Sequence, residues 1–162
     1  MRALAVLAAV ALLAGCGGEA SKAAGRPPHE SAGTFAERIL REEINGQWSR
    51  QWLELHPAHQ RLITRAQYVA CSRSMATNFA TGTETYRVLA IRTASVDSED
   101  VPQHTSKLVV VSIHVRGLTN PFTYRVHAVN VGGHWAWILG QRFLAEIKLG
   151  RCLDGTRLQS KA

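Results

Sequence analysis

The chain has no Asp or Glu between Asp100 and Glu146, although it carries 12 acidic residues in all. This stretch therefore supplies no carboxylate as a general base or as a metal ligand. None of Ser72, Ser74 and Ser112 lies in a G-x-S-x-G segment, so the sequence gives no support to a serine hydrolase. No segment repeats at a fixed period, which argues against a repeat architecture.

The one long apolar run, Ala3 to Ala14, is too short to span a bilayer. With Arg2 ahead of it, the run has the length and charge of a signal peptide. It ends in Leu13-Ala14-Gly15-Cys16, which resembles the lipobox of bacterial lipoproteins. The resemblance implies cleavage ahead of Cys16 and a diacylglyceryl group on that cysteine. An ordinary secretory peptide with a chance cysteine, or a buried helix, is the alternative.

Lipid on Cys16 would hold the chain on the outer face of the cell membrane, because several acyl chains, palmitate among them, anchor a protein almost permanently. Residues 16–33 are rich in Gly, Ala, Ser and Pro without an apolar period, which predicts a flexible tether. We therefore predict a signal peptide over residues 1–15, a lipidated tether over 16–33 and a single domain over 34–162.

Basic residues outnumber acidic ones by 19 to 12, which gives a formal net charge of +7. They are scattered singly along the chain, and this pattern, with the predicted export, argues against nucleic acid as a partner. A basic surface favours anionic headgroups, wall polymers or acidic envelope proteins. A solvated basic surface without a partner is the plainer alternative.

Three cysteines are present, and lipid on Cys16 leaves Cys71 and Cys152 as an even pair in an oxidising compartment. We predict that these two form a disulfide, which would stabilise the fold by about 4.5 kcal/mol through loop-closure entropy. Two separate buried thiols are the alternative. Two cysteines alone are too few for a zinc site.

Apolar residues follow a helical period in the first part of the predicted domain. A capping box, Thr34-x-x-Glu37, predicts where the first helix begins. The helix is expected to bend or restart at Asn45-Gly46, to end at His56-Pro57, and to be followed by one turn over 57–63 and a helix from Thr64 through Cys71.

A period of two replaces the helical period from Thr83 onward. It predicts a first strand with Tyr86, Val88 and Ala90 on one face, and three more strands over Lys107 to Arg116, Phe122 to Val131 and His134 to Leu139. The segment Phe143 to Leu149 suits a strand or a short helix. The order of elements predicts an α+β domain, with N-terminal helices packed on a curved antiparallel sheet of about four strands.

This element order resembles exported members of the nuclear-transport-factor-2-like superfamily, which includes the SnoaL-like proteins. The resemblance covers roughly Phe35 to Asp154 and rests on Trp52-x-x-Leu55-His56-Pro57-x-x-Gln60, Tyr68-x-x-Cys71, Trp135-x-Trp137 and the late Cys152. It implies a cone-shaped, cystatin-like fold that encloses a pocket. It implies little about activity, since members range from isomerases to binding subunits.

Five residues are candidates for lining such a pocket: His114, His127, Tyr86, Tyr124 and Trp137. Superfamily enzymes that move protons in ketone substrates place a carboxylate inside the cone, but here the nearby acids, Glu43, Glu54, Asp97 and Glu99, suit solvated charges better. No catalytic residue is therefore assigned. Of the four tryptophans, we expect three in the core and one at a pocket rim.

Seven histidines raise the question of a metal site. His56 and His59 have a helical spacing, but Pro57 lies between them, and the other histidines are spread over different strands without companion carboxylates. We therefore predict no metal and no cofactor, and we interpret His56-Pro57 as a structural corner whose imidazole makes one hydrogen bond at a helix end.

Together these features favour a non-enzymatic, lipid-anchored binding or accessory domain that presents its cone to a small apolar ligand or an envelope protein. The alternative is a SnoaL-like isomerase or cyclase acting on a small carbonyl-containing molecule. In that case His114 or His127 would serve as the base, and Tyr86 or Tyr124 as the hydrogen-bond donor.

Replacing the predicted lipid-attachment residue tests the anchor. The Cys16→Ala variant should leave the membrane fraction, because it has no thiol to receive a diacylglyceryl group. Fractionation after a salt wash measures this, with the Cys71→Ala variant as a control that keeps Cys16. A Cys16→Ala protein that stays with the membrane would contradict the prediction.

Overall fold

Helices precede strands along the chain. The computed structural model describes residues 30–76, 84–96, 98, 100–155 and 157–158. The predicted signal peptide, Cys16 and most of the predicted tether lie outside these residues, as do Thr83, Asp97 and Glu99. The elements are α1 (Ala32–Ile44), α2 (Trp48–Leu53), α3 (Pro57–Leu62), α4 (Arg65–Met75), β1 (Thr85–Ser95), β2 (Thr105–His114), β3 (Phe122–Val131), β4 (His134–Ile138) and α5 (Gln141–Lys148).

The four strands form one curved, open antiparallel sheet in the order β1-β2-β3-β4. The predicted α+β class, with helices followed by a four-stranded sheet, is therefore confirmed. Gly132 and Gly133 both have positive φ and form the tight turn between β3 and β4. None of the helices in the described ranges is long and apolar enough to cross a membrane.

One face of the sheet packs against α1. Val109, Val111 and Ile113 alternate along β2 and are almost wholly buried, since every second residue of a strand points to the same face. Phe35 and Ile39 of α1 lie against them in the same apolar cluster. We call this side of the sheet the inner face.

Strand β1 departs from the predicted alternation. Its register against β2 shifts between Val88 and Ala90, so that Leu89 is an extra residue in the strand. Beyond this bulge Ile91 pairs with Val109 and takes the inner face, which the simple alternation had given to Ala90. A Cβ placed on Gly33 of α1 would lie 3.2 Å from Ile91 Cδ1, which shows how closely helix and strand approach.

The first helix begins earlier than predicted. Ser31, not Thr34, is its N-cap, and the Ser31 hydroxyl accepts a hydrogen bond from the Thr34 backbone N–H at 3.1 Å. Ala32 and Gly33, which the sequence placed in the tether, are buried in the helix. The folded part of the chain therefore starts before the predicted boundary at residue 34.

The restart after α1 and the caps of α3 and α4 are confirmed, whereas α2 ends at Leu53, before the predicted end at His56-Pro57. Gly46 has positive φ where α1 ends, and the chain restarts as α2. His56 is the N-cap of α3, with Pro57 in its first turn, and its imidazole accepts a hydrogen bond from Ala58. Thr64 caps α4 in a capping box with Gln67.

Two strands end earlier than predicted. Strand β2 ends at His114 rather than Arg116, just before a turn in which Gly117 has positive φ. Strand β4 ends at Ile138, because the backbone N–H of Leu139 donates to His59 Nδ1. The last segment, left open by the sequence, is the helix α5.

A disulfide joins Cys71 on α4 to Cys152 beyond α5, across 5.1 Å between their Cα atoms. The predicted bridge and the predicted return of the chain end to the early helix are both confirmed. The bridge lies in a second apolar cluster with Tyr68 and Ile147, so it ties α4 to α5 inside a packed environment.

Breaking the bridge should destabilise the protein. The Cys71→Ser and Cys152→Ser variants should each lose about 2–5 kcal/mol of unfolding free energy, because the unfolded chain regains loop entropy. Urea denaturation measures the loss. Thiol counting by mass spectrometry under non-reducing conditions gives the matched control, and two reactive thiols at 71 and 152 in the native parent protein would contradict the bridge.

His59, on α3, is fully buried and lies beside Ser98 and Leu139, the residue after β4. Its Nδ1 accepts from Leu139, so a neutral ring carries its proton on Nε2, which lies 3.4 Å from the Ser98 hydroxyl. Burial is the main cause that lowers the pKa of His59 to about 4; His56 and Lys148 lower it further, while Asp100 opposes them. The folded protein thus holds His59 neutral.

This histidine makes stability depend on pH. At pH values between the unfolded pKa of His59, near 6.5, and its folded pKa of about 4, the histidine is protonated in the unfolded chain and neutral in the folded chain. The free energy of unfolding therefore falls as the pH falls through this range. From pH 7 to pH 5 the parent should lose about 2 kcal/mol more than the His59→Gln variant. Urea denaturation at both pH values measures the difference.

The control is His114→Gln, which replaces an exposed histidine on β2. It should keep the pH dependence of the parent. Equal losses in the parent and in His59→Gln would show that His59 does not cause the acid sensitivity.

Candidate ligand-binding cavity

A cavity of about 310 Å³ lies between the helices and the inner face of the sheet. Pockets of roughly 300–1,000 Å³ hold small molecules in proteins. The cavity wall is formed by α1, α2, α4 and α5, by β2, β3 and β4, and by residues that follow some of these elements. The lining residues are Leu40, Glu43, Ile44, Trp48, Tyr68, Ser72, Met75, Ala76, Ile113, Val115, Phe122, Tyr124, Trp137, Leu139, Gly140, Phe143 and Leu153.

Aromatic rings make up much of the cavity wall. Two tryptophans, two tyrosines and two phenylalanines contribute to it. The rings of Trp137 and Phe143 each lie 6.2 Å from the ring of Tyr68, centroid to centroid, one in a T-shaped and one in a tilted arrangement. Such contacts fix ring orientation, so this part of the wall is shaped before any ligand arrives.

Few polar side chains face the cavity. They are Glu43 from α1, Ser72 and Tyr68 from α4, and Tyr124 from β3. No Lys, Arg or His occurs among the lining residues in the described part of the chain. The cavity is therefore an apolar, aromatic space with a single acidic side chain.

Glu43 occupies an unusual setting for a carboxyl group. Surrounding protein atoms displace much of the water that would hydrate its charge, which raises its pKa above the ordinary value; the Gln51 amide partly offsets this. The residue is nonetheless exposed, so a ligand in the cavity can contact its carboxyl group. The exposure agrees with the predicted solvated charge, and the structure adds that Glu43 lies at the cavity wall.

The negative charge of Glu43 also affects the pKa of Tyr124. Burial raises the pKa of its hydroxyl, and the nearby Glu43 raises it further, so the phenol stays protonated and can donate a hydrogen bond. Tyr68 is nearly inaccessible, and burial raises the pKa of its hydroxyl strongly. The Tyr68 hydroxyl donates to Gln51 Oε1, and this hydrogen bond helps to hold the cavity wall in place.

Gln51 connects three walls of the cavity, although its own side chain is fully buried. Its Nε2 donates to the Ile39 carbonyl of α1 at 3.1 Å, and its Oε1 accepts from Tyr68 of α4. Its backbone carbonyl accepts from the Trp137 indole N–H of β4 at 3.1 Å. The side-chain amide of Gln51 therefore joins α1 to α4, and its backbone carbonyl joins them to β4.

An ion-pair network holds the far side of α1. Arg38 lies 3.1 Å from Glu30, 3.3 Å from Glu42 and 3.5 Å from Glu54, and Arg50 lies 3.1 Å from Glu42. These contacts tie the helix to the segments before and after it. They orient α1 so that Glu42 faces the network while the next residue, Glu43, faces the cavity.

Two of the candidate pocket residues, Tyr124 and Trp137, line the cavity. Tyr86 lies on the inner face opposite Ile113, where its ring contacts the Arg41 guanidinium at 4.5 Å, but it is not a lining residue. Two tryptophans, Trp48 and Trp137, line the cavity rather than the single one expected at a rim.

His114 and His127 do not line the cavity, which corrects that expectation. Their positions alternate with the inner-face residues of β2 and β3, so both project from the opposite, outer face. His127 pairs in register with Leu108, six residues from His114, which separates the two by about 20 Å. His127 instead lies 2.8 Å from the Ser106 hydroxyl, and burial lowers its pKa.

His56 and His59 do approach one another, with ring centroids 6.3 Å apart. Within the residues that the structure describes, no group of three or more His, Cys, Asp or Glu is placed to hold a metal ion. The His56 imidazole acts as a helix cap, in agreement with the interpretation of His56-Pro57 as a structural corner.

Gln51 is not among the residues predicted for the site, and Glu43 is predicted only as a solvated charge. Gln51 falls on the apolar stripe of α2, three residues after Trp48 and one before Trp52, where a polar residue signals a buried hydrogen bond. Glu43 carried no comparable signal, because Glu42 and Glu43 are adjacent and chain position alone does not say which of them turns toward the cavity.

The arrangement supports three kinds of chemistry. An apolar molecule can fill the aromatic space, the Tyr124 hydroxyl can donate to an acceptor on it, and the Glu43 carboxyl can pair with a positive charge or take part in proton transfer. Comparison of the chain with protein-family models, curated proteins and solved structures found no match.

Proposed function

We propose that this chain is a lipid-anchored extracytoplasmic binding domain of the nuclear-transport-factor-2-like kind, whose cavity takes a small, largely apolar ligand. The cavity carries this proposal. It combines a volume of about 310 Å³ with an aromatic wall and a few polar groups, which is the usual make-up of a small-molecule site.

The anchor is supported by the sequence around Cys16. The apolar run from Ala3 to Ala14 and the small residues before the cysteine are the features of a lipoprotein leader. The bridge between Cys71 and Cys152 is in keeping with an oxidising, extracytoplasmic location. Such an anchor would hold the cavity at the membrane surface on a tether.

The superfamily resemblance is supported by the order of the elements. Helices come first, a curved antiparallel sheet follows, and the cavity lies between them, as a cone-shaped fold requires. The two tryptophans of the Trp135-x-Trp137 motif have different roles. Trp137 lines the cavity, and the Trp135 indole N–H donates to the Glu30 carbonyl at 2.8 Å.

Binding is favoured over the catalytic alternative by the position of the histidines. The enzyme would use His114 or His127 as a base beside a tyrosine donor, but both histidines project from the outer face while Tyr124 lines the cavity. The proposed base and donor therefore lie on opposite sides of the sheet.

A cavity-filling substitution tests the binding function. The full-length chain should bind tert-butylbenzene, and Ile44→Trp should weaken binding at least tenfold, since the larger ring takes up the space of the ligand. Isothermal titration calorimetry measures both affinities. The matched control is Leu89→Trp, which adds the same ring at an exposed position on β1 away from the cavity.

Thermal unfolding of each variant shows that the fold is kept. Binding by the parent that is lost in Ile44→Trp and kept in Leu89→Trp supports the proposal. No binding by the parent, or equal binding by a folded Ile44→Trp variant, would overturn it.

A further inference from the structure

The charge of the cavity is opposite to the charge of the chain. The chain carries a formal net charge of +7, yet the one charged side chain among the described lining residues is the acid Glu43. A cavity intended for an anion would place Arg or Lys in its wall, and a cavity for a purely apolar ligand would have no reason to expose a carboxyl group.

Glu43 also has no cationic partner within the described part of the chain. Its neighbour Glu42 pairs with Arg38 and Arg50, and no ion pair of this kind occurs at Glu43. The Glu43 carboxyl group is exposed at the cavity, so a positively charged group on a ligand can reach it. The fold satisfies the carboxyl groups around Arg38 and leaves the carboxyl of the cavity without a counter-charge.

The aromatic wall suits a positive charge as well. The faces of Trp, Tyr and Phe rings carry negative potential and attract ammonium and guanidinium groups. The chain uses this attraction close to the cavity, since the Arg73 guanidinium lies 5.9 Å from the Trp48 ring centroid and the Arg41 guanidinium 4.5 Å from that of Tyr86. Carboxylate and ring faces together form the usual surroundings of a bound organic ammonium ion.

We propose that the ligand of the cavity is a small organic cation, with an ammonium group that lies beside Glu43 and against the faces of the aromatic rings and an apolar body that fills the remaining space. This inference rests on the proposed binding function and adds the charge of the ligand. It requires no cofactor and no covalent step.

The electrostatics of Glu43 favour such a ligand as well. The pKa of this carboxyl is raised, so its negative charge is less stable at the cavity than in water. A bound ammonium group stabilises the charged form. The Tyr124 hydroxyl and the buried Tyr68 remain neutral and do not compete for the cation.

Two probes of the same shape, one cationic and one neutral, separate the effect of the ligand's charge from the effect of its apolar contacts. Phenyltrimethylammonium and tert-butylbenzene differ in one central atom and in charge. Calorimetry on the full-length chain gives the affinity for each, and the ratio of the two affinities measures the preference for the cation. Glu43→Gln removes the charge with little change in volume.

In the parent both probes should bind, and Glu43→Gln should lower the affinity ratio about tenfold or more by weakening the cation alone. The control Glu37→Gln makes the same substitution on α1 at a residue outside the cavity lining. It should leave the ratio unchanged.

The outcomes distinguish this inference from the proposed function. If tert-butylbenzene binds while phenyltrimethylammonium does not, or if Glu43→Gln leaves the ratio unchanged, the cation inference is overturned and the binding function stands. If neither probe binds, both are overturned. A ratio that falls in Glu43→Gln and not in Glu37→Gln supports the inference.

Discussion

One buried residue, Gln51, holds the walls of the cavity at their separation through its side-chain amide and its backbone carbonyl. Gln51 joins α1, α4 and β4 through hydrogen bonds to Ile39, Tyr68 and Trp137. An amide without access to water must satisfy both its donor and its acceptor inside the protein, because each unsatisfied group costs about 1–3 kcal/mol. The three elements therefore cannot move apart or collapse together without breaking a bond that the interior does not replace.

Two further constraints act at a distance from this amide. The Cys71–Cys152 bridge fixes α4 against α5 and closes the second apolar cluster. The Arg38 network fixes the outer side of α1. With α1 and α4 each held on two sides, the space between them and the sheet remains open, although apolar walls of this kind gain free energy when they close on each other.

Charge is distributed so that the cavity differs from the surface. The chain as a whole is basic, while the carboxyl groups of α1 lie in two environments one residue apart. Glu42 is paired and structural, whereas Glu43 faces the aromatic cavity. His114 and His127, on the outer face of the sheet, do not line this cavity.

Local sequence patterns determined the elements of this protein and the disulfide. Helical and alternating periods, the Thr64 cap, the His56-Pro57 corner and the even cysteine pair depend on neighbouring residues or on counting, and each was predicted from the sequence. Long-range geometry decided the rest. The Leu89 bulge reassigned Ile91 to the inner face, the register of β2 and β3 sent both histidines outward, and the packing of α1 turned Glu43 into the cavity. Each of these outcomes depends on how strands and helices meet in space, because a shift of one residue in a strand exchanges its two faces and a step of one residue on a helix turns a side chain by about 100°.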